Sequence, residues 1–248
     1  MDRHLLGVVT AMITLNNLVL GYQGQRISCP LNGTFEIGSL TAIIGANGTG
    51  KSTLLKTLAG LLPPVAGNLA FATARPPRIA YLPQQSELDR QFPVNVFDVV
   101  SMGCWPATGL LRRIGGTDKA LIHHALQRVG LEDMPTRPID ALSGGQFQRM
   151  LFARLLVQQA PLVLLDEPFT GIDRQTCDLL LEVIGQLHRA GQTIIVVLHD
   201  HGQVARHFPQ TLLLTPEQNR WGPSADILSH RTPQSESCFC FQSFDRVG

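Results

Sequence analysis

Eight residues in the first quarter of the chain have the types and the spacing of a phosphate-binding loop. The segment Gly45–Ser52 fits the pattern G-x-x-x-x-G-K-[ST] in full. Its glycines let successive backbone N–H groups turn toward an anion without a steric clash from Cβ atoms. We expect Lys51 to reach the β- and γ-phosphates of a nucleotide, and the Ser52 hydroxyl to bind Mg²⁺. The predicted nucleotide-binding residues are Gly45, Ala46, Asn47, Gly48, Thr49, Gly50, Lys51, Ser52 and Thr53.

The residues on either side of this loop have the patterns of a strand and a helix. Leu40–Ile44 is mainly apolar and predicts a buried strand, and Thr53–Leu58 has apolar residues at helical spacing. A loop that leads into a helix N-terminus gains unpaired N–H groups and the positive end of the helix dipole. This context disfavours the alternative interpretation, a glycine-rich turn that carries a surface lysine.

Acidic residues follow a second apolar strand. Leu162–Leu165 is short and wholly apolar, as expected for a parallel sheet that is covered on both faces, and Asp166 and Glu167 come next. Ligands bind at the carboxyl ends of parallel strands. We expect Asp166 to hold Mg²⁺ through water and Glu167 to polarise an attacking water molecule.

A histidine ends another apolar strand, Thr193–Leu198. His199 is therefore predicted to lie at the same sheet edge as Asp166, where it could bond a γ-phosphate and steady the attacking water. A histidine at a strand end often has only a structural role. The combination with the acidic pair and the phosphate loop favours the catalytic interpretation.

A further pair of glycines is predicted to open a helix. Leu142, Ser143, Gly144, Gly145 and Gln146 precede a helical pattern that runs on to Val157. Ser143 can cap this helix, and the glycines expose backbone N–H groups to an anion. One γ-phosphate needs only one loop, so we expect this segment to serve ATP that is held by another copy of the domain. An ordinary N-capped helix is the alternative.

The order of these segments predicts an α/β fold. Strands and helices that alternate through short loops indicate parallel βαβ units, here a mainly parallel sheet flanked by helices. Before the phosphate loop, Ile13–Leu15, Leu18–Leu20 and Leu31–Ile37 are short β-like stretches that predict an N-terminal antiparallel β subdomain.

A helical region is predicted to interrupt this α/β core. Arg78–Leu82 has a strand pattern that Pro83 ends, and Phe97–Val129 has a helical pattern. We therefore expect one domain over residues 12–228, with a helical subdomain inserted at about residues 90–160. Residues 229–248 are polar and irregular and predict a loosely ordered tail. The Cys238 and Cys240 thiols of this tail make a poor metal site without histidine partners.

Composition excludes several classes of protein. The net charge of +1 provides no basic field for nucleic acid, and five scattered cysteines do not suggest a disulfide framework. No apolar run approaches the roughly 20 residues that cross a bilayer. Leu5–Leu15 resembles the apolar part of a signal peptide, but a strand, or a start of the protein at Met12, fits better. Charged residues are 16% of the chain, below the usual value of about 25%, which suggests surface kept for other proteins.

Together these motifs resemble those of an ABC-type ATPase subunit, the nucleotide-binding component of ATP-binding-cassette transporters. The resemblance covers residues 12–228 in the family's order and implies a P-loop NTPase core. It identifies Gly45–Ser52 with Walker A, Leu162–Glu167 with Walker B and its catalytic glutamate, and Leu142–Gln146 with the LSGGQ signature.

The same resemblance implies roles for four single residues. Gln84 matches the Q-loop and would contact Mg²⁺, and His199 matches the switch histidine. Asp173 takes the D-loop position, although Ile172 precedes it where many members have leucine. Tyr22 stands where the family stacks an aromatic ring on adenine.

A finer resemblance concerns the transported solute. The stretches Phe97–Gly103, Arg137–Ile139, Gln146–Arg149 and Val197–Asp200 are similar to the subfamily that drives zinc and manganese uptake in bacteria. Iron-chelate importers have many of the same sequence stretches. A soluble ABC ATPase, for example in iron–sulfur cluster assembly, and a regulator without transport stay open as alternatives.

The resemblance also implies an assembly. Two copies would meet head to tail on binding ATP, forming a homodimer with each nucleotide between Lys51 of one copy and Ser143 of the other. A polytopic membrane permease subunit would dock near Gln85–Trp105, an extracytoplasmic solute-binding protein would act indirectly, and no nucleic acid is expected. The protein would be peripheral, at the cytoplasmic face of the inner membrane.

Overall fold

A computed structural model describes residues 11–22, 24–84, 90, 92–105 and 114–229 of the chain. The strands are β1 Ala11–Val19, β2 Gly21–Tyr22, β3 Gln25–Arg26, β4 Leu31–Glu36, β5 Leu40–Gly45, β6 Ala66–Phe71, β7 Ile79–Leu82, β8 Leu162–Asp166, β9 Thr193–Val197, β10 Gln210–Leu214 and β11 Asn219–Pro223. The helices are α1 Lys51–Leu58, α2 Val96–Ser101, α3 Gly116–Arg128, α4 Gly144–Gln158, α5 Arg174–Arg189, α6 His201–His207 and α7 Ser224–Ser229. Short 3₁₀ turns occupy Met102–Cys104 and Ile139–Ala141.

The largest sheet has six strands in the order β11-β10-β5-β9-β8-β7. All neighbours are parallel except β11, which pairs antiparallel with β10 at one edge. Helices follow most of these strands and cover the sheet, which confirms the predicted α/β class. Because the five strands from β10 to β7 run the same way, their carboxyl ends meet at one edge of the sheet.

Apolar alternation along the parallel strands divides the protein into two cores. In β8, Leu162 and Leu164 enter one core, while Val163 and Leu165 enter the other. Successive strand side chains point to opposite faces, so a wholly apolar strand requires cover on both sides. One core lies against α1 and the N-terminal strands, and the other against α4 and α5.

A three-stranded antiparallel sheet, in the order β4-β1-β6, forms the N-terminal part. The antiparallel arrangement was predicted, but the division into separate short stretches was wrong. Ile13–Leu15 and Leu18–Leu20 belong largely to the single strand β1, whose register shifts between Leu15 and Leu18 against β4. Such a bulge lets a long strand bend while both of its neighbours stay paired.

Between residues 92 and 160 the described elements are helical. Asn95 caps α2 by accepting a hydrogen bond from the Asp98 backbone N–H at 2.9 Å, and the Asp98 carboxylate accepts one from the Asn95 N–H. Both α2 and α3 pack on α4. This placement agrees with the predicted helical insertion; the division into subdomains stays a prediction.

Some predicted features lie outside the described residues. These are residues 5–10 of the Leu5–Leu15 stretch, residues 85–89 and 91 of the expected docking region, residues 106–113 of the helical pattern, and the tail beyond Ser229, including Cys238 and Cys240. Over the ranges that the structure does describe, no helix combines the length and the apolar character needed to span a bilayer.

Candidate functional site

A cleft of about 370 Å³ lies at the carboxyl edge of the parallel sheet. Four of the segments predicted to do chemistry follow neighbouring strands here: the loop after β5, Gln84 after β7, Glu167 after β8 and His199 after β9. The residues that line the cleft are Ile27, Asn47, Gly48, Gly50, Lys51, Ser52, Thr53, Gln84, Glu167 and His199. The fold therefore brings together residues that are up to 172 positions apart in the sequence, from Ile27 to His199.

The glycines of the loop are required by its backbone geometry. Gly50, at the N-cap of α1, has φ +94°, and Gly48 has φ +81°, a region that side-chain-bearing residues rarely adopt. A Cβ atom on Gly45 would lie 2.4 Å from the carbonyl oxygen of Leu214. The loop thus packs closely on the end of β10, which the sequence interpretation did not identify.

Lys51 is buried at the first position of α1, with only 5% of its surface exposed. Its ammonium group donates hydrogen bonds to the carbonyl oxygens of Gly45 and Ala46, at 3.0 and 2.9 Å. Burial lowers the pKa of Lys51, and the nearby carboxylates of Glu167 and Asp166 partly offset that effect. A cation held in a partly desolvated loop is well suited to attract a phosphate.

Ser52 and Asp166 meet beside Lys51. The Ser52 hydroxyl donates a hydrogen bond to Asp166 Oδ1 at 3.0 Å, and Asp166 is only 1% exposed at the end of β8. These are hard oxygen donors of the kind that Mg²⁺ prefers.

Glu167 lines the cleft, and polar side chains contact both oxygens of its carboxylate. Gln84 Nε2 donates a hydrogen bond to Glu167 Oε2 at 2.9 Å, and His199 Nε2 lies 2.5 Å from Glu167 Oε1. The Thr170 hydroxyl, which the sequence interpretation did not single out, donates to Oε2 at 3.5 Å. Glu167 itself adopts φ +48°, a left-handed conformation that costs energy in a residue with a side chain. Strain of this kind is concentrated at functional sites.

The LSGGQ segment lies elsewhere, since none of its residues lines the cleft. Ser143 caps α4 by accepting a hydrogen bond from the Gln146 N–H at 3.2 Å, and the Gln146 side chain accepts one from the Ser143 N–H at 3.0 Å. This reciprocal capping box confirms the predicted helix start. The separation from the cleft agrees with a segment that acts on a nucleotide of another copy.

Asp173 lies against the LSGGQ segment, which the sequence could not show. The carboxylate caps α5, accepting hydrogen bonds from the Thr176 N–H at 2.9 Å and from the Thr176 hydroxyl at 2.7 Å. The bonds from the Thr176 N–H and hydroxyl lower the pKa of Asp173. A Cβ atom on Gly145 would lie only 2.9 Å from the Thr176 hydroxyl and 3.0 Å from Asp173 Oδ2, so a glycine is required for this approach.

Tyr22 is not among the residues that line the cleft. It forms the two-residue strand β2 with Gly21, and 60% of its surface is exposed. Stacking on adenine therefore stays a prediction. Ile27, which the sequence interpretation did not consider, is the apolar residue that lines the cleft near the loop.

A glycine-rich loop between a buried strand and a helix, with a buried lysine and an acidic strand end beside it, defines a P-loop nucleotide-binding protein. The sequence profile of the ABC transporter family matches residues 29–170 of this chain. The chain belongs to the ABC transporter family, as an ATP-binding ATPase component.

Individual relatives agree with this assignment. The manganese transport system ATP-binding protein MntB of Listeria innocua is 44% identical over 215 residues, covering 85% of this chain and 90% of that protein. The zinc transport system ATP-binding protein TroB of Treponema pallidum is 41% identical, covering 82% and 77%. A solved ABC transporter assigned to the metal-chelate type, in an inward-facing conformation, superimposes with a TM-score of 0.78 at 29% identity, covering 88% and 85%.

Proposed function

We propose that this protein is the ATP-hydrolysing subunit of an ABC importer that takes up a metal cation, with zinc and manganese as the first choices. The observation that carries the catalytic part is the position of Glu167, held by Gln84 and His199 inside the cleft that the phosphate loop and Lys51 line.

Different residues would bind the phosphates, activate the water molecule and bind the adenine ring. The loop N–H groups and Lys51 would bind the β- and γ-phosphates, since the helix N-terminus and the ammonium group both favour anions. Glu167 would accept a proton from the attacking water, and His199 would hold the γ-phosphate and that water in line. Tyr22, which is 60% exposed, would stack on the adenine ring.

Mg²⁺ fits the oxygen atoms present. Ser52, Asp166 and Gln84 are the residues that would hold it, and the first two already place oxygens 3.0 Å apart. When bound, the ion supplies positive charge that neutralises the developing charge on the phosphates.

The LSGGQ segment would complete the site in trans. Ser143, Gly144 and Gly145 lie at the N-terminus of α4, whose unpaired N–H groups suit an anion, yet they do not line this chain's own cleft. In a head-to-tail homodimer they would contact the γ-phosphate bound by Lys51 of the partner subunit. ATP would thereby favour closure, because it binds well only to the closed pair.

The relatives supply the choice of cargo. The names of the similar MntB and TroB proteins specify manganese and zinc transport systems. A subunit of this kind would act on a polytopic permease, reaching the solute-binding protein only through it, and would be peripheral to the membrane. The residues available for that docking include Phe92 and Trp105, large apolar side chains that are 59% and 39% exposed.

Cellular metal uptake tests this function. Cells that lack the protein should take up less manganese or zinc under starvation for that metal, and the wild-type gene should restore uptake whereas Glu167→Gln should not. Uptake that is unchanged for both metals but reduced for an iron chelate would move the protein to the alternative importer class. Purification with a soluble scaffold partner, and no permease, would favour iron–sulfur cluster assembly.

A further inference from the structure

Gln148 is a buried polar residue on α4 that has no role in the hydrolysis mechanism proposed above. Only 3% of its surface is exposed, and its Nε2 atom donates a hydrogen bond to the carbonyl oxygen of Pro168 at 2.8 Å. Pro168 directly follows Glu167, so this bond joins α4 to the backbone next to the predicted catalytic base.

The orientation of this side chain is fixed by its partner. A carbonyl oxygen can only accept, so the Gln148 amide nitrogen, and not its oxygen, must face Pro168. The Gln148 Oε1 atom is then buried with no hydrogen-bond partner among the described residues. An unpaired buried oxygen is unfavourable, and an apolar side chain of similar size would avoid that cost. Packing alone therefore does not explain a glutamine here, whereas the donated bond does.

The backbone that Gln148 holds is strained. Glu167 has φ +48°, and the turn after it is closed by a hydrogen bond from the Thr170 N–H to the Glu167 carbonyl oxygen at 3.3 Å. A residue in this conformation keeps its geometry only where its surroundings fix it. The bond from Gln148 anchors the peptide that joins Pro168 to Phe169, one residue beyond Glu167, while Gln84 and His199 hold the carboxylate itself.

We infer that Gln148 is a positioning residue for Glu167, and that it links the carboxylate to the LSGGQ segment through α4. This inference rests on the proposed function. Ser143 begins the same helix five residues earlier, about 7.5 Å along its axis. Contact between Ser143 and the partner subunit's nucleotide is thereby connected, through one helix, to the placement of Glu167 at this subunit's own nucleotide.

The test replaces the donor and keeps the volume. In Gln148→Met, kcat for ATP hydrolysis should fall by about 10- to 100-fold, because small displacements of a catalytic group have effects of that size. ATP affinity should stay at the wild-type value, and Gln148→Met combined with Glu167→Gln should still dimerise with ATP. A purely structural role would instead weaken nucleotide binding or dimerisation along with kcat.

Met150→Leu is the matched control, since Met150 is fully buried on the same helix and the exchange conserves volume. Its kcat should match the wild type. If Gln148→Met does not fold, Gln148→Leu repeats the test. In every variant, kcat is calculated per ATP-binding site, with the number of sites measured by nucleotide titration. Wild-type kcat in a folded Gln148 variant, or a loss of ATP-driven dimerisation, would overturn the inference. Absent hydrolysis in the wild type would instead refute the proposed function.

Discussion

Glu167 is the side chain around which the polar groups of the cleft are arranged. Gln84, His199 and Thr170 all contact its carboxylate, although they come from three separate segments of the chain. A carboxylate that is held on both oxygens loses little freedom when it acts on a positioned water molecule. The arrangement therefore suits a general base rather than a metal ligand.

Replacing the predicted base, Glu167, should lower the rate of ATP hydrolysis without weakening ATP binding. Glu167→Gln should lower kcat by about 10²–10⁴-fold, the usual contribution of a positioned general base, while ATP affinity is retained. Steady-state phosphate release and equilibrium ATP binding measure the two effects. Glu182→Gln is the control, because Glu182 is exposed on α5 and pairs with the surface residue Arg189 at 2.8 Å. Normal turnover in Glu167→Gln would exclude Glu167 as the base.

The predicted role of Lys51 in ATP binding can be tested by thermal unfolding. A ligand present at 100 times its Kd stabilises a protein by about 2.7 kcal/mol, so ATP should raise the melting temperature of the wild type clearly. In Lys51→Met this shift should largely disappear. The nucleotide-free variant should unfold no earlier than the wild type, since burial of the Lys51 charge is itself unfavourable.

Lys56→Met, on the same helix but outside the cleft lining, provides the comparison and should keep the ATP-induced shift. Thermal unfolding with and without ATP measures all three proteins. An equal shift in Lys51→Met would contradict the role given to Lys51.

Most of the residues that line the cleft could be predicted from the sequence. The phosphate loop and the acidic pair have patterns whose chemistry can be stated before any fold is known. Ile27 and Thr170 could not be found in this way, because a lone isoleucine or threonine has no distinguishing spacing. The φ of Glu167 and the contact of Gln148 with Pro168 also depend on tertiary packing, so no local pattern indicates them.

Among the secondary-structure elements, α4 connects most of the segments near the site. Its first turn presents Ser143 and Gly145, its middle carries Gln148, and its apolar face packs against α2 and α3. This one helix therefore contacts Asp173, the turn after Glu167 and the helical region.

The cap of α4 can be separated from its predicted role toward ATP. Ser143→Ala should lower the free energy of unfolding by about 1 kcal/mol, because it removes the N-cap acceptor. Ser143→Asp should cost little, since aspartate caps helices as well as serine. Urea unfolding of the two nucleotide-free variants measures this difference.

The same Ser143→Asp variant should nevertheless fail to dimerise with ATP, because its carboxylate would face the triphosphate of the partner subunit. Size-exclusion chromatography in a Glu167→Gln background tests this. ATP-dependent dimerisation that survives in Ser143→Asp would place the nucleotide away from α4.

Element boundaries were predicted well where the apolar pattern was continuous, and poorly elsewhere. The strands β5, β8 and β9 were found because each is almost wholly apolar and buried on both faces. β1 was divided in error because Asn16 and Asn17 interrupt its apolar residues, and Asn17 adopts φ +45° in the bulged region. β10 was missed although four of its five residues are buried, because its apolar run, Leu212–Leu214, is too short to distinguish a strand from a helix.

For the molecule as a whole, we propose that the arrangement is half of a catalytic unit. The cleft holds the phosphate loop, Gln84, Glu167 and His199, while the LSGGQ segment lies outside it. Sequence order alone could not decide this separation, because Ser143 stands only 24 residues before Glu167. The three-dimensional placement favours two copies facing opposite ways, in the symmetric closed pairing common among oligomers.

Light scattering of the hydrolysis-deficient protein distinguishes a lone subunit from a pair that shares its nucleotides. Glu167→Gln with saturating ATP and Mg²⁺ should have twice the monomer mass of 27.1 kDa, and should return to that mass without nucleotide or when Ser143→Arg is added. A mass that stays at 27.1 kDa with ATP and Mg²⁺ bound would contradict the shared site.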